Sequence, residues 1–98
     1  MSFWACSPSE EELLQAGIQK MDAQAWSEAE SVFDQLLTMN PTNATALNAK
    51  GVALFQQGKI QEAIPVFDLA IQADSTSYKP WFNRGNAKME QEKYKEAL

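Results

Sequence analysis

The chain of 98 residues contains no histidine and one cysteine, Cys6. Without an imidazole there is no histidine base, no Ser-His or Cys-His pair, and no zinc set built from Cys and His. A lone cysteine cannot close an intramolecular disulfide, which favours a reducing compartment. No apolar run approaches the roughly 20 residues of a membrane helix. Residues 1–8 have neither the basic segment nor the apolar run of a signal peptide, so a cytoplasmic location is expected. Positive charge is also scarce: eight Lys and Arg stand against thirteen Asp and Glu, for a net charge of −5. That balance argues against nucleic-acid or anionic-membrane partners, which are gripped through phosphates. The glycines are spaced singly, so no phosphate-cradling loop is present. Glu10, Glu11 and Glu12 are consecutive; a helix fans such neighbours around its axis, as at a solvated helix start rather than a metal site. The sequence therefore offers no catalytic residue, no metal ligand set and no cofactor, and the reading is not an enzyme.

What the chain does have is a period. Read in steps of 34, Gly17, Gly51 and Gly85 align, as do Ala29, Ala63 and Ala97, and Glu28, Glu62 and Glu96. Bulky Trp26, Ile60 and Tyr94 form a further column, and Phe33 and Phe67 another. A gapless repeat of this length means stacked copies of one supersecondary unit. Such arrays present long shaped surfaces and seldom enclose a reaction centre. Charge drifts along the array, from −6 over residues 10–43 through −1 over 44–77 to +2 over 78–98. The plain reading is solvated outer faces; opposite ends could also steer a head-to-tail association.

Every segment between turn signals reads as helix, with no alternating strand pattern. Ser9 with Glu12 fits a capping box, opening a helix to about residue 22. A second helix over about 27–39 is closed by Asn40-Pro41. Thr42 or Asn43 caps a third over about 44–57, which Gly58 ends in a left-handed conformation. The fourth spans about 61–73, with Pro65 near the end of its first turn, where it removes a backbone hydrogen bond. The fifth covers about 79–91, and residues 94–98 begin a sixth. The aligned glycines sit mid-helix, where each costs about 1 kcal/mol relative to alanine. Their shared phase implies close approach of the facing backbone. The alanines are the matching small residues of each second helix, and Phe33 and Phe67 fill the space between units.

Residues 10–98 resemble the tetratricopeptide repeat, a helix–turn–helix unit of this length. The early large position is Leu13, Leu47 and Trp81; the glycine follows in all three units, the alanine in all three, and the phenylalanine in the two long enough to hold it. The closing Pro is Pro41 in the first unit but Ser75 in the second, and the usual Tyr is Lys20, Leu54 and Lys88. The third unit, from Trp81 to Ala87, matches best. The resemblance implies an all-α right-handed superhelix of antiparallel helix pairs, with repeats at 10–43, 44–77 and a partial 78–98 after a lead-in of residues 1–9.

It further implies a concave groove, lined by the first helix of each pair, that takes a peptide or helix of an unidentified partner protein. Carried over by position, the groove residues are Leu14, Ile18 and Met21 from the first unit, then Asn48, Val52 and Phe55 from the second. The third supplies Lys79, Phe82, Asn83, Asn86 and Met89. Asparagine amides both donate and accept, which suits a peptide backbone. One subtype of the family grips a terminal carboxylate with Lys, Asn and Arg. The matching positions here are Leu14, Ile18, Ala49, Lys79 and Asn83; only Lys79 agrees, so that clamp is not expected. Phe3 and Trp4 could instead cover the groove from within the chain. The alternative function is structural: a piece of a longer array, or a homodimer formed through an open C-terminal edge at Trp81 and Gly85.

Overall fold

The computed structural model describes residues 7–97. Among them it forms α1 (Glu10–Asp22), α2 (Trp26–Met39), α3 (Ala44–Gln56), α4 (Ile60–Ala73) and α5 (Lys79–Ala97), with no strand. Each helix packs on the next, and α3 also touches α1 and α5. The result is an all-α solenoid measuring 59 × 27 × 19 Å, elongated because each unit stacks only on its neighbours. Phe3, Trp4 and Cys6 lie outside the described residues, and with them the idea that the lead-in covers the groove.

Local chemistry sets most helix ends. The Glu12 backbone N–H donates to Ser9 Oγ at 3.1 Å, and the Ser9 N–H donates to Glu12 Oε1 at 2.8 Å, closing the capping box. At α3 the cap is Asn43, whose Oδ1 accepts from the Ala46 N–H at 3.0 Å. Thr42 turns away and donates its N–H and hydroxyl to Asn40 Oδ1. Gly58 follows α3 at φ 83°, and Gln24 holds the same phase after α1 at φ 60°. Glycine takes that conformation without steric penalty; glutamine does not. Helix α4 starts at Ile60, so Pro65 falls in its second turn rather than its first. The helix runs on because its buried stripe of Ile60, Ala63, Phe67 and Ala70 anchors it on both sides of the proline.

Two sequence expectations fail at the C-terminal end. Residues 94–97 do not start a sixth helix; they continue α5. The earlier turns need a residue at positive φ, and Glu92 now stands at that phase, a good helix former. Lys93 Nζ lies 3.4 Å from Glu90 Oε2, bridging the point where a break was expected. Ala97 is consequently an exposed residue of α5, whereas Ala29 and Ala63 are fully buried on second helices.

The core forms two clusters, one around Phe33 with Leu13, Ala29, Leu36, Ala46 and Ala53, the other around Phe67 with Leu54, Ile60, Ala63 and Ala87. What lies nearest Gly17 and Gly51 is an aromatic ring rather than the facing backbone, and Gly85 meets nothing within 4 Å. A Cβ at Gly17 would stand 2.5 Å from the Phe33 ring, and one at Gly51 would overlap the Phe67 ring. Each phenylalanine ring therefore packs against a bare stretch of helix within its own unit while its cluster reaches the next.

A carboxylate ties the first inter-unit turn. Glu10 Oε2 accepts from Asn43 Nδ2 at 2.6 Å and from Asn40 Nδ2 at 2.8 Å, joining the start of α1 to the α2–α3 turn. These two amides hold the Glu10 carboxyl below its ordinary value of 4.5. A depressed folded value means the unfolded chain takes up the proton first as pH falls. The stabilisation is thus complete above the unfolded value and is lost as pH drops through the folded one. The thermal midpoint of Glu10→Gln is expected to fall less steeply than that of wild type between about pH 5 and pH 3. Parallel curves would remove Glu10 from the acid response.

Candidate functional site

Helices α1, α3 and α5 form one side of the solenoid, with α3 in the middle. Ion pairs fix how successive units meet there. Lys50 of α3 lies 2.7 Å from Asp34 of α2, and one period later Arg84 of α5 pairs with Asp68 of α4. Both pairs are partly solvated, so their contribution is register more than free energy.

The expected groove residues divide into three groups. Leu14 and Met21 pack against the first core cluster, and Val52 and Phe55 against the second, so each is half-buried and partly committed to stability. Ile18 is half-buried on α1 between Leu14 and Met21. Lys79, Phe82 and Met89 of α5 are exposed, Phe82 at 64% and Met89 at 63%. Between these lie Asn48, Asn83 and Asn86, all half-buried. Asn83 Nδ2 donates to Asn48 Oδ1 at 3.0 Å, linking α5 to α3 across the face.

The polar chemistry thus gathers at α3 and α5, while the α1 end is mostly packing. A hollow of about 130 Å³ is lined by Val52, Phe55, Gln56, Phe67, Asn83 and Asn86. That is close to the size of cavities, on the order of 150 Å³, that accept a benzene-sized group. One mid-sized apolar side chain would fit, with the three amides of Gln56, Asn83 and Asn86 in the lining. Tyr78, Lys79, Phe82 and Asn83 border a second, more open hollow of about 390 Å³. Tyr78 was not among the expected residues, yet it is 72% exposed. It precedes α5 at the phase of Ala44 and Glu10, so the repeat columns hid it; an aromatic in a turn beside Phe82 was the available signal. Phe67 was read as core alone, but it also forms the floor of the first hollow.

Among the described residues no group of three His, Cys, Asp or Glu could hold a metal ion. No helix there is long and apolar enough to cross a membrane. The face offers amides, aromatic and thioether surface and one cationic side chain, which is the chemistry of binding.

Comparison with known proteins agrees with this architecture. A family profile described as tetratricopeptide repeat matches residues 14–78. Among solved structures the chain is similar to the Sgt2 TPR domain from Aspergillus fumigatus, with a TM-score of 0.82 and 26% identity over 91% of this chain. The match spans 59% of that domain's length. A search of curated proteins returns no match. With the family profile covering most of the array and the folds superimposing, the chain belongs to the tetratricopeptide repeat family, whose fold serves as a protein–protein interaction module.

Proposed function

We propose that the α1–α3–α5 side is a concave groove that binds a peptide segment or helix of a partner protein, without catalysis. The observation that carries this reading is the Asn48–Asn83 pair, set between the 130 Å³ hollow and exposed Phe82. The bond between them uses one donor of Asn83 and one lone pair of Asn48. A primary amide keeps further capacity to donate and accept, so both remain able to engage a peptide backbone. Apolar side chains of the partner would anchor in the hollow and against Phe82 and Met89, with methionine adapting to their shape.

A carboxylate-terminated tail held by a clamp is not the favoured ligand. Leu14, Ile18 and Ala49 supply no polar group, Asn83 brings no positive charge, and Lys79 is the one cation among the five positions. The test is capture of partners from a lysate of the native cells by wild type and by Asn48→Ala/Asn83→Ala/Asn86→Ala, both first checked as folded. Partners present with wild type and lost with the variant are the expected result. Recovery of the same proteins by both would take recognition away from this face.

A further inference from the structure

The two turns between units share one backbone device but differ in what fills them. In each, a residue closing the second helix accepts from the N–H and hydroxyl of a threonine two positions on: Asn40 from Thr42, and Asp74 from Thr76. In the first turn the Glu10 carboxylate also reaches over from the start of α1 to the amides of Asn40 and Asn43. One period later those three positions are Ala44, Asp74 and Ser77. Ala44 has no side chain to reach the turn. A hollow of about 230 Å³ opens beside it, bordered by α3, the end of α4 and the start of α5, in the interior of the array.

The polarity of this place is reversed as well. Asn40 offers amide donors to a carboxylate, whereas Asp74 is itself a carboxylate in want of a donor. Both Thr76 bonds fall on Asp74 Oδ1, and among the described residues Oδ2 accepts nothing. The Thr76 hydroxyl and N–H hold the carboxyl below its ordinary value of 3.8, so it is charged at neutral pH. Asp74 is in no ion pair among the described residues. Ala44, Ala49, Ala70 and Pro80 give the hollow an apolar wall, and the hydroxyls of Thr45 and Ser77 add acceptors.

We propose that this hollow receives an arginine side chain of a partner protein, its stem against the alanines and Pro80 and its guanidinium at Asp74 and the two hydroxyls. Long basic side chains bury an apolar stem and keep a polar head, and the rigid guanidinium fork can serve several acceptors at once. The net charge of −5 on the chain draws the same occupant. Asn48 and Lys79 border this hollow and also belong to the groove. The inference therefore deepens the groove reading and rests on it for the source of the arginine. Lys79, exposed, is the one opposing charge in the lining.

The probe is arginine blocked as its N-acetyl amide, titrated into the isotope-labelled whole chain and followed by backbone amide NMR shifts. Saturating shifts grouped over residues 44–49 and 74–79 are expected, and none from blocked citrulline, which has the shape without the charge. Asp74→Asn should bind about tenfold more weakly or worse, the worth of a hydrogen bond to a charged group. That variant keeps its turn, because Asn40 already accepts the same two bonds in the first unit. Ala44→Gln, which returns a side chain of the length of Glu10, should exclude the probe. Lys79→Gln should tighten binding by removing a like charge. The proposal is overturned if blocked arginine gives no saturable shifts, if citrulline matches it, or if Asp74→Asn or Ala44→Gln binds undiminished. Weaker binding to Lys79→Gln would overturn it too, since the hollow would then favour an anion. The groove reading fails separately, by partner capture, a measurement in which the blocked amino acid takes no part.

Discussion

Gly51→Leu is expected to lower the thermal midpoint by about 12 °C or more, while Gly85→Leu leaves it unchanged or raises it. Both positions are mid-helix glycines in one column of the repeat, so propensity alone predicts a gain of about 0.5–1 kcal/mol at each. The packing is opposite. At Gly51 even a Cβ would overlap the Phe67 ring, and that ring is 1% exposed within the second core cluster. Overpacking a core costs about 1–3 kcal/mol and occasionally more, and a leucine belongs at the upper end. For a domain of this size each kcal/mol is about 4–8 °C. At Gly85 the new side chain meets no neighbour. Thermal unfolding followed by circular dichroism measures both. Equal losses at the two sites would mean that the glycines serve the helix backbone, and tolerance at Gly51 would mean that the ring is mobile.

The second large effect is expected at the ring itself. Phe67→Ala removes a fully buried aromatic and leaves its space against Gly51, where no side chain can relax into it; the cost is about 3–5 kcal/mol. Against a total stability on the order of 5–15 kcal/mol, this brings the domain close to unfolding at ambient temperature. Leu69, two residues on and 50% exposed, is the control, and its alanine variant should stay within about 0.5 kcal/mol of wild type. Urea midpoints compare the two. Because Phe67 also forms the floor of the groove hollow, partner capture should decline in the milder Phe67→Leu variant while that protein remains folded. A cost below about 1 kcal/mol for Phe67→Ala would show that the cluster collapses around the vacancy. Combining Phe67→Leu with Gly51→Ala should recover part of the loss from either, since contacting residues couple by about 0.5–3 kcal/mol.

These two results bear on how function and stability share residues. Val52, Phe55 and Phe67 belong to the second core cluster and also line the hollow. A groove built this way is stiff, since its lining cannot shift without disturbing the core. Phe82 and Met89 make no such commitment; they are exposed, and their replacement should affect partner binding and little else. The asparagines stand between these cases, with Asn48 and Asn83 joined across two helices.

The sequence alone determined the features that depend on near neighbours in the chain. Ser9 and Glu12 are three residues apart and Gly58 supplies its own left-handed turn, so both signals were legible without knowing the fold, whereas the choice of Asn43 over Thr42 as the α3 cap was left to the structure. The 34-residue period was equally legible, because a regular repeat must stack on itself whatever its partners are. Tertiary structure decided the rest. Whether a ring or a backbone lies against Gly17 depends on Phe33, sixteen positions away and aimed by a different helix. Whether Tyr94 opens a helix or continues one is decided at Glu92, which stays inside α5 where Gln24 and Gly58 take positive φ. Leu14 and Phe55 look like free groove residues in the repeat columns but are half spent on the core, and Tyr78, outside every column, is the most exposed aromatic among the described residues. The columns record each residue's phase on its own helix. What that phase faces is set by elements distant in the chain, and for Gly85 it is open space.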